Sequence, residues 1–461
     1  MTMSDNNLLL VLVIIPIFSA IFVSRIPHFD MTSVRQITTT VLTVWLAFLL
    51  KCGHILFSSE QRLTWRLNYS LWLDDNVLDL SLGQIQFVLL LALWFALFSL
   101  FFLNKRITEN KGLSFSVIIL LLLALATLTI LSSTLAVSII TANLSVCLFL
   151  FLCARHGGSE KGNAVLVSSL FFLTVDIFSI AVLFLPKSVW LVAGYYLYWI
   201  ALAPALTRLL IPFFAPFSRT MFENSSITII ILYVAFIIPT GAALLFSIKN
   251  TLHLYQPAFI CSPVVTILVF ASSFFSALWI ITEKDCRQIG LSLLVFYNAI
   301  FINFVLDPHH DASSRAAILM LFCAVICASF TLYVGQLLFW ELEHELIDTT
   351  INHLWLASLA LWFPLPGLGI GTALWLGYMD LFSSTLLSPA LNISFWLIIF
   401  LLLITALIQN YFRHIDPQTT GRSLLGYRPR KLASLQNAWA SFAVVLLLCL
   451  VSSTYFLNTG A

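Results

Sequence analysis

Apolar stretches long enough to cross a bilayer follow one another along nearly the whole chain, and polar residues are confined to the short segments between them. About fourteen such runs of roughly 18–25 residues can be read from Asn7 to Leu457. They fall at 7–24, 37–57, 84–104, 115–131, 135–153, 164–185, 189–214, 227–248, 258–281, 289–305, 316–340, 354–383, 393–408 and 439–457. The pattern predicts an all-α polytopic membrane protein of about 14 transmembrane helices. No connecting segment exceeds roughly 25–30 residues, far below domain size. Residues 1–461 therefore read as a single integral-membrane domain, with no separate soluble domain.

Composition sharpens this. With 61% of residues hydrophobic and only 9% charged, there is too little polar surface to clothe a soluble globule. The first run follows a short acidic segment with no basic stretch and no small-residue cleavage site, so it reads as a retained helix rather than a signal peptide.

The placement of Lys and Arg sets the orientation. If the N-terminus is outside, the inner loops hold fifteen: Arg25, Arg35, Lys105, Arg106, Lys111, Arg155, Lys161, Arg219, Lys284, Arg287, Arg413, Arg422, Arg428, Arg430 and Lys431. The outer loops hold five: Arg62, Arg66, Lys187, Lys249 and Arg315. This bias predicts both termini outside and an even number of spans. One inner loop is instead acidic, with Glu341, Glu343, Glu345 and Asp348. It reads either as a solvated helix end or as a docking surface for a basic partner.

Ionisable residues within the runs are few, and burying each costs roughly 2.5–3.5 kcal/mol on insertion scales, which makes it a functional candidate. Lys51 and His54 lie towards the end of the second run, Asp176 in the sixth, Arg208 in the seventh and Asp380 near the end of the twelfth. Lys51 and Asp380 can also be read as snorkelling to an interface. Asp176 and Arg208 stand mid-run, on consecutive predicted helices and with opposite sign. The spacing predicts that they neutralise each other as a buried pair, structural or functional, with Asn143 close by to help hold them.

The eight cysteines say little about redox compartment, because all but Cys286 sit in or beside apolar runs, where a thiol behaves as a small hydrophobe. Cys323 and Cys327 share a helix face at i, i+4, but no His or carboxylate accompanies them, so packing is the expectation and no metal site is predicted. No nucleophile–base pair or phosphate-binding loop is present, so neither an enzyme nor a cofactor is predicted. The one basic cluster, Arg422 to Lys431, is explained by topology, which excludes nucleic-acid binding.

Two runs look interrupted. The seventh carries Pro204, Pro212 and Pro216, and the twelfth carries Pro364, Pro366 and Gly367 followed by Gly369 and Gly371. Proline removes a backbone donor, and broken helices line the pathway in many transporters, so helices 7 and 12 are expected to be discontinuous and to hint at an internal repeat.

At these segments the chain resembles the antiporter-like membrane subunits shared by respiratory complex I, the multisubunit cation/proton antiporters and the DAB-type inorganic-carbon transporters. The resemblance runs from about Leu71 to Asp380. Leu71-Trp72-Leu73-Asp74-Asp75 followed by Leu80-Ser81-Leu82 is similar to the family's outer-loop motif. Leu206-Thr207-Arg208, then Ile211-Pro212-Phe213-Phe214 and Met221, resembles its broken seventh helix. Glu283-Lys284-Asp285-Cys286-Arg287 resembles its inner-loop motif, carried here by Asp285 and Arg287, and Ala357-Ser358-Leu359-Ala360 into Pro364-Leu365-Pro366-Gly367 resembles its broken twelfth helix.

The Leu-Thr-Arg form of the seventh helix resembles the DAB-type subunit somewhat more than a complex I subunit. That resemblance implies antiporter-like inverted repeats, a bacterial inner-membrane location and a proton pathway serving a large peripheral cytoplasmic subunit. It further implies that this partner is a zinc protein resembling a carbonic anhydrase, and that the two together take up carbon dioxide as bicarbonate. The chain departs from the family at its titrating positions. The fifth-helix glutamate falls at about Asn143, the seventh-helix lysine at Thr207 or Arg208, the eighth-helix histidine at Leu232, and the eleventh-helix histidine and lysine at about Cys323 and Cys327. Three readings follow: a subunit of an inorganic-carbon uptake complex; a proton- or cation-translocating subunit of a complex I-like or antiporter assembly; and a non-conducting membrane scaffold. Proton-path candidates are Asp176, Arg208, Asn143, Lys51 and His54.

Overall fold

The computed structural model describes residues 3–26, 31–59, 62–67, 78–103, 113–156, 162–183, 185, 187–209, 227–253, 263–282, 286–306, 311–343, 349–363, 365, 367–381, 401, 403–405, 408 and 432–458. Helix contacts divide the chain into two compact units, Met1–Phe259 and Ile260–Ala461.

The first unit holds α1 (Met3–Ser24), α2 (Met31–Ser59), a hairpin of β1 (Leu63–Leu67) and β2 (Leu78–Leu82), and α3 (Gln84–Phe98), which runs on into a π turn at Ser99–Leu103. Then come α4 (Leu113–Leu131), α5 (Leu135–His156), α6 (Gly162–Leu183) and α7 (Lys187–Leu209). The last helix, α8, is continuous through Ile227–Leu232, a π segment at Tyr233–Ile237, and Ile238–His253. The second unit holds α9 (Pro263–Thr282), α10 (Cys286–Leu306), α11 (Asp311–Glu343), α12 (Thr349–Ala360), α13 (Gly369–Leu381) and α14 (Leu432–Asn458).

Helices dominate because in lipid every backbone N–H and C=O must be satisfied within the segment. Among the described residues eight helices are long and apolar enough to span a bilayer, and shorter apolar stretches occur at Leu170–Val182, Ile200–Leu209, Phe270–Thr282 and Ala438–Thr454. The chain is a multi-pass membrane protein. Burial locates the centre of each unit. Residues 228–246 of α8 and 316–335 of α11 are buried throughout, whereas only 39% of the residues of Asn7–Ser24 in α1 are buried. In the first unit α8 packs on α3, α4, α5 and α7, and in the second α11 packs on α10, α12, α13 and α14.

The helical architecture is as expected, and two features depart from the expectations. The all-α reading missed the antiparallel hairpin, in which Leu63 faces Leu82 and Trp65 faces Leu80. Its period-two alternation, Leu-Thr-Trp-Arg-Leu against Leu-Asp-Leu-Ser-Leu, is short and lies between helical runs. Arg66 pairs with Asp79 at 3.3 Å, and Ser133 N and Oγ both donate to the Asp79 carbonyl at 2.9 Å, tying the hairpin to the turn after α4. The helix α11 has 33 residues, longer than its apolar run; at about 1.5 Å per residue it exceeds the hydrocarbon layer.

The twelfth run is two helices, as its prolines and glycines predict. After α12 the chain turns through Trp362 N→Leu359 O (3.0 Å) and Phe363 N→Ala360 O (3.1 Å). Gly367 adopts φ 92°, and its N–H donates to Thr372 Oγ1 at 3.2 Å. A Cβ on Gly371 would stand 2.0 Å from the Leu365 carbonyl oxygen, so the loop folds back onto α13 only because that position is glycine. Pro364 and Pro366 lie outside the described residues, as do Pro212, Pro216, Met221, Asp285, residues 71–75 and the basic stretch 422–431.

Candidate functional site: a buried ion pair at the end of α7

Arg208 sits in the last turn of α7 and Asp176 in the middle of α6. Long helical side chains point back towards the N-terminus of their helix. The guanidinium accordingly folds back one turn, and Nη1 donates to the Pro204 carbonyl at 2.7 Å. From there it reaches across to α6 as a fork: Nη1 to Asp176 Oδ1 at 3.0 Å and Nη2 to Asp176 Oδ2 at 2.7 Å. Both side chains are 0% exposed. Such a two-pronged, charge-assisted contact fixes orientation as well as distance.

The surrounding helices complete the setting. On α5, the half-buried Asn143 accepts from Nη2 at 3.5 Å, the long limit of a hydrogen bond. Ser179 Oγ donates to the Ala201 carbonyl at 3.2 Å, stapling α6 to α7 on the same face. The Arg208 carbonyl has no helical N–H to accept from, because the residue four positions on is Pro212. Tyr233 Oη of α8 donates to it at 2.6 Å, and the Tyr233 ring lies 5.8 Å from that of Phe149 on α5. Gly241, farther along α8, allows the close approach: a Cβ there would stand 2.8 Å from Arg208 Cβ. Arg208 Nε alone makes no hydrogen bond among the described residues.

The structure thus brings Asp176, Arg208 and Asn143 together from three helices. It does not bring Lys51 or His54 to them. Both are exposed on α2, and the hydrogen bonds at the pair come from α5, α6, α7 and α8. Arg287 lies in the first turn of α10. Sequence reasoning missed Tyr233 and Gly241. Tyr233 adjoins Leu232, where the family's histidine falls, and a glycine in an otherwise bulky apolar helix was the available sign of close approach. It missed Cys147 too, which lies one turn beyond Asn143, exposed, and within electrostatic reach of Asp176 and Arg208.

The second unit also has a tyrosine hydroxyl on a buried backbone carbonyl, without the charges. Tyr297 Oη donates to the Trp362 carbonyl, its ring stacks on the indole at 5.5 Å, and Trp362 Nε1 donates to Thr331 Oγ1 at 2.9 Å. Among the described residues of this unit no Asp, Glu, Lys or Arg side chain is buried. No group of three His, Cys, Asp or Glu placed to hold a metal ion occurs among them.

Fold and site together define a polytopic membrane protein with an ion pair sealed at a helix end. Comparison with solved structures finds the same fold in chains of two complexes. A chain of the Mrp complex from Dietzia sp. matches with a TM-score of 0.75 at 13% identity, over 99% of this chain and 98% of that one. A chain of respiratory complex I from Thermus thermophilus with bound NADH matches at 0.74 and 12% identity, over 97% of this chain and 96% of that one. The same complex with bound aureothin gives 0.69 and 12%, over 97% and 98%. No protein-family model and no curated protein matches the sequence. At these identities the likeness is one of fold.

Proposed function

We propose that the chain is a proton-translocating membrane subunit of a multisubunit, antiporter-like complex, with Asp176 as the proton-carrying group and Arg208 as its fixed countercharge. The observation that carries this is the fully buried Asp176–Arg208 fork at the end of α7. An ionisable group at membrane depth is expensive and marks ion pathways. An arginine side chain does not serve as a proton donor in proteins, so the mobile proton belongs to the carboxylate. Both Asp176 oxygens already accept from the guanidinium, so proton uptake requires the fork to open. Asn143 and the free Nε offer the places where a water or a displaced carboxylate oxygen can be held while it does. The half-buried Asn143 and exposed Cys147 make α5 the side from which the pair is reached.

Asp176→Asn keeps the shape and one acceptor oxygen but removes the exchangeable proton. In the complex reconstituted into vesicles, this variant is expected to assemble and to lose proton movement. Transport at the wild-type rate would reject the reading.

A second, narrower reading is an inorganic-carbon uptake complex with a cytoplasmic zinc partner resembling a carbonic anhydrase. It is favoured by Leu206-Thr207-Arg208, the same arginine that forms the pair. Both readings place the chain in a bacterial inner membrane with its termini outside. Co-purification in mild detergent separates them: a large zinc protein supports the second, further membrane subunits the first.

A further inference from the structure

A guanidinium carries one N–H on Nε and two on each Nη. In Arg208 four of these five are used. Nη1 bonds to Asp176 Oδ1 at 3.0 Å and to the Pro204 carbonyl at 2.7 Å, and Nη2 bonds to Asp176 Oδ2 at 2.7 Å and to Asn143 Oδ1 at 3.5 Å. Nε is buried and makes no hydrogen bond among the described residues. Two edges of the group can hold a two-oxygen acceptor. Asp176 fills the one formed by both Nη atoms, whereas the edge formed by Nε and Nη2 holds only the long contact to Asn143 and so faces α5. Asn143 is half-buried and Cys147, one turn on, is exposed, so the open edge lies towards the side from which the pair is reached.

Charge gives that edge a purpose. Asp176 and Arg208 are the only buried charged side chains among the described residues. Protonating Asp176 leaves the guanidinium, itself 0% exposed, without a countercharge, and arginine does not give up its own proton instead. Cys147 on α5 and Tyr233 on α8 are within electrostatic reach, but a thiol and a phenol are ordinarily neutral and supply none. Nor is the arginine free to follow the aspartate. Nη1 stays anchored on the Pro204 carbonyl, and the stem is packed so closely on α8 that a Cβ on Gly241 would stand 2.8 Å from Arg208 Cβ.

We propose that Arg208 binds a small planar monovalent oxyanion on its Nε–Nη2 edge when Asp176 is protonated, so that proton and anion occupy the site together and cross together. This rests on the reading of Asp176 as the proton carrier. In the step an O–H bond forms on Asp176, the carboxylic acid releases the fork, and two oxygens of the anion accept from Nε and Nη2, so the site stays neutral. Loss of the proton re-forms the fork and expels the anion. A planar oxyanion is specified because the guanidinium presents parallel donors that match two oxygens in one plane, as the Asp176 carboxylate already shows.

The test has two readouts. In the first, full-length Asp176→Asn in detergent stands for the protonated state. Its melting temperature is followed against sodium nitrate, with ionic strength held constant by sodium gluconate, a much larger anion. A saturable rise is expected, as binding to the folded state alone produces. It should be absent in the wild type, where the fork is closed, and absent in Asp176→Asn with Arg208→Leu. No rise in Asp176→Asn, an equal rise in the double variant, or a response to chloride with none to nitrate overturns the proposal. The second readout uses the wild-type complex in vesicles and so decides even if a variant folds poorly. A pH gradient is imposed, potassium and valinomycin hold the membrane potential at zero, and the anion is nitrate or gluconate. Nitrate is used because its acid is too strong to carry a proton through lipid by itself. Proton movement should be faster in nitrate by about tenfold or more, since an uncompensated buried charge is strongly disfavoured. Equal, measurable rates in both anions overturn the anion site and leave Asp176 as proton carrier. No proton movement in either anion, from an assembled complex, overturns both.

Discussion

The two units solve one problem in two ways. In each, a tyrosine hydroxyl from a neighbouring helix bonds a buried backbone carbonyl: Tyr233 bonds that of Arg208, whose partner four residues on, Pro212, has no N–H, and Tyr297 bonds that of Trp362, in the turn after α12. At α12 the remaining space is filled by a stacked indole, itself bonded to Thr331. At α7 it is filled by an arginine and an aspartate. Satisfying such a carbonyl therefore does not require charge. Replacing a buried ion pair by apolar residues of similar volume is often neutral or stabilising, and this is the ground for proposing that the pair at α7 carries a function.

The largest effect expected from this contrast is at the pair itself. Arg208→Leu leaves Asp176 buried without its partner, and breaking a buried pair on one side typically costs about 3–5 kcal/mol. Folded yield in detergent should collapse. The double variant Asp176→Leu with Arg208→Leu removes both charges, and it should recover much of that yield while remaining inactive in transport. If the double variant is as poorly folded as the single one, the pair is structural and the contrast with α12 is misleading.

Next in size are the two glycines. Overpacking a dense site costs about 1–3 kcal/mol, and more where backbone must move. Gly371→Ala puts a Cβ 2.0 Å from a backbone oxygen, whereas Gly241→Ala puts one 2.8 Å from the Arg208 side chain. Gly371→Ala should thus lower thermal stability more, and Gly241→Ala should lower transport more, because what yields is the arginine. Equal transport losses would remove the distinction between the two breaks.

The tyrosines give the finest direct comparison. Leaving a buried carbonyl unsatisfied costs about 1–3 kcal/mol. Tyr233→Phe and Tyr297→Phe should therefore lower the melting temperature by similar amounts. Only Tyr233→Phe should also slow transport, since only there does the capped residue carry the countercharge. Slowed transport in Tyr297→Phe would bring the uncharged break into the pathway.

How much of this was legible beforehand follows the same line. Long apolar runs announce helices whatever their neighbours, so the spans and the interruption of the twelfth could be read from hydropathy, proline and glycine alone. The residues of the pair were legible because opposite charges are rare in such runs and were well centred. What hid was anything that depends on which faces meet. Tyr233 and Gly241 look like ordinary members of an apolar helix until α8 is set against α7. The hairpin hid for a different reason: five-residue strands carry too short a period to stand out beside helices of fifteen or more.

The smallest effect is expected at Lys51 and His54, and it tests whether burial rather than position in the sequence makes an ionisable residue part of the site. Both lie in an apolar run, as Asp176 and Arg208 do, and sequence alone ranks all four as candidates. In the structure they are exposed on α2. An exposed lysine near a helix end can extend its ammonium to the interface while its methylenes stay in the apolar layer, so removing the charge exposes no unpaired group. Lys51→Gln and His54→Gln should each change stability by no more than about 0.5 kcal/mol, as surface substitutions do. Proton movement in vesicles should stay at the wild-type rate in both. Loss of transport in either variant, with assembly intact, would mean that the pathway reaches α2 and that the pair at α7 is only one part of it.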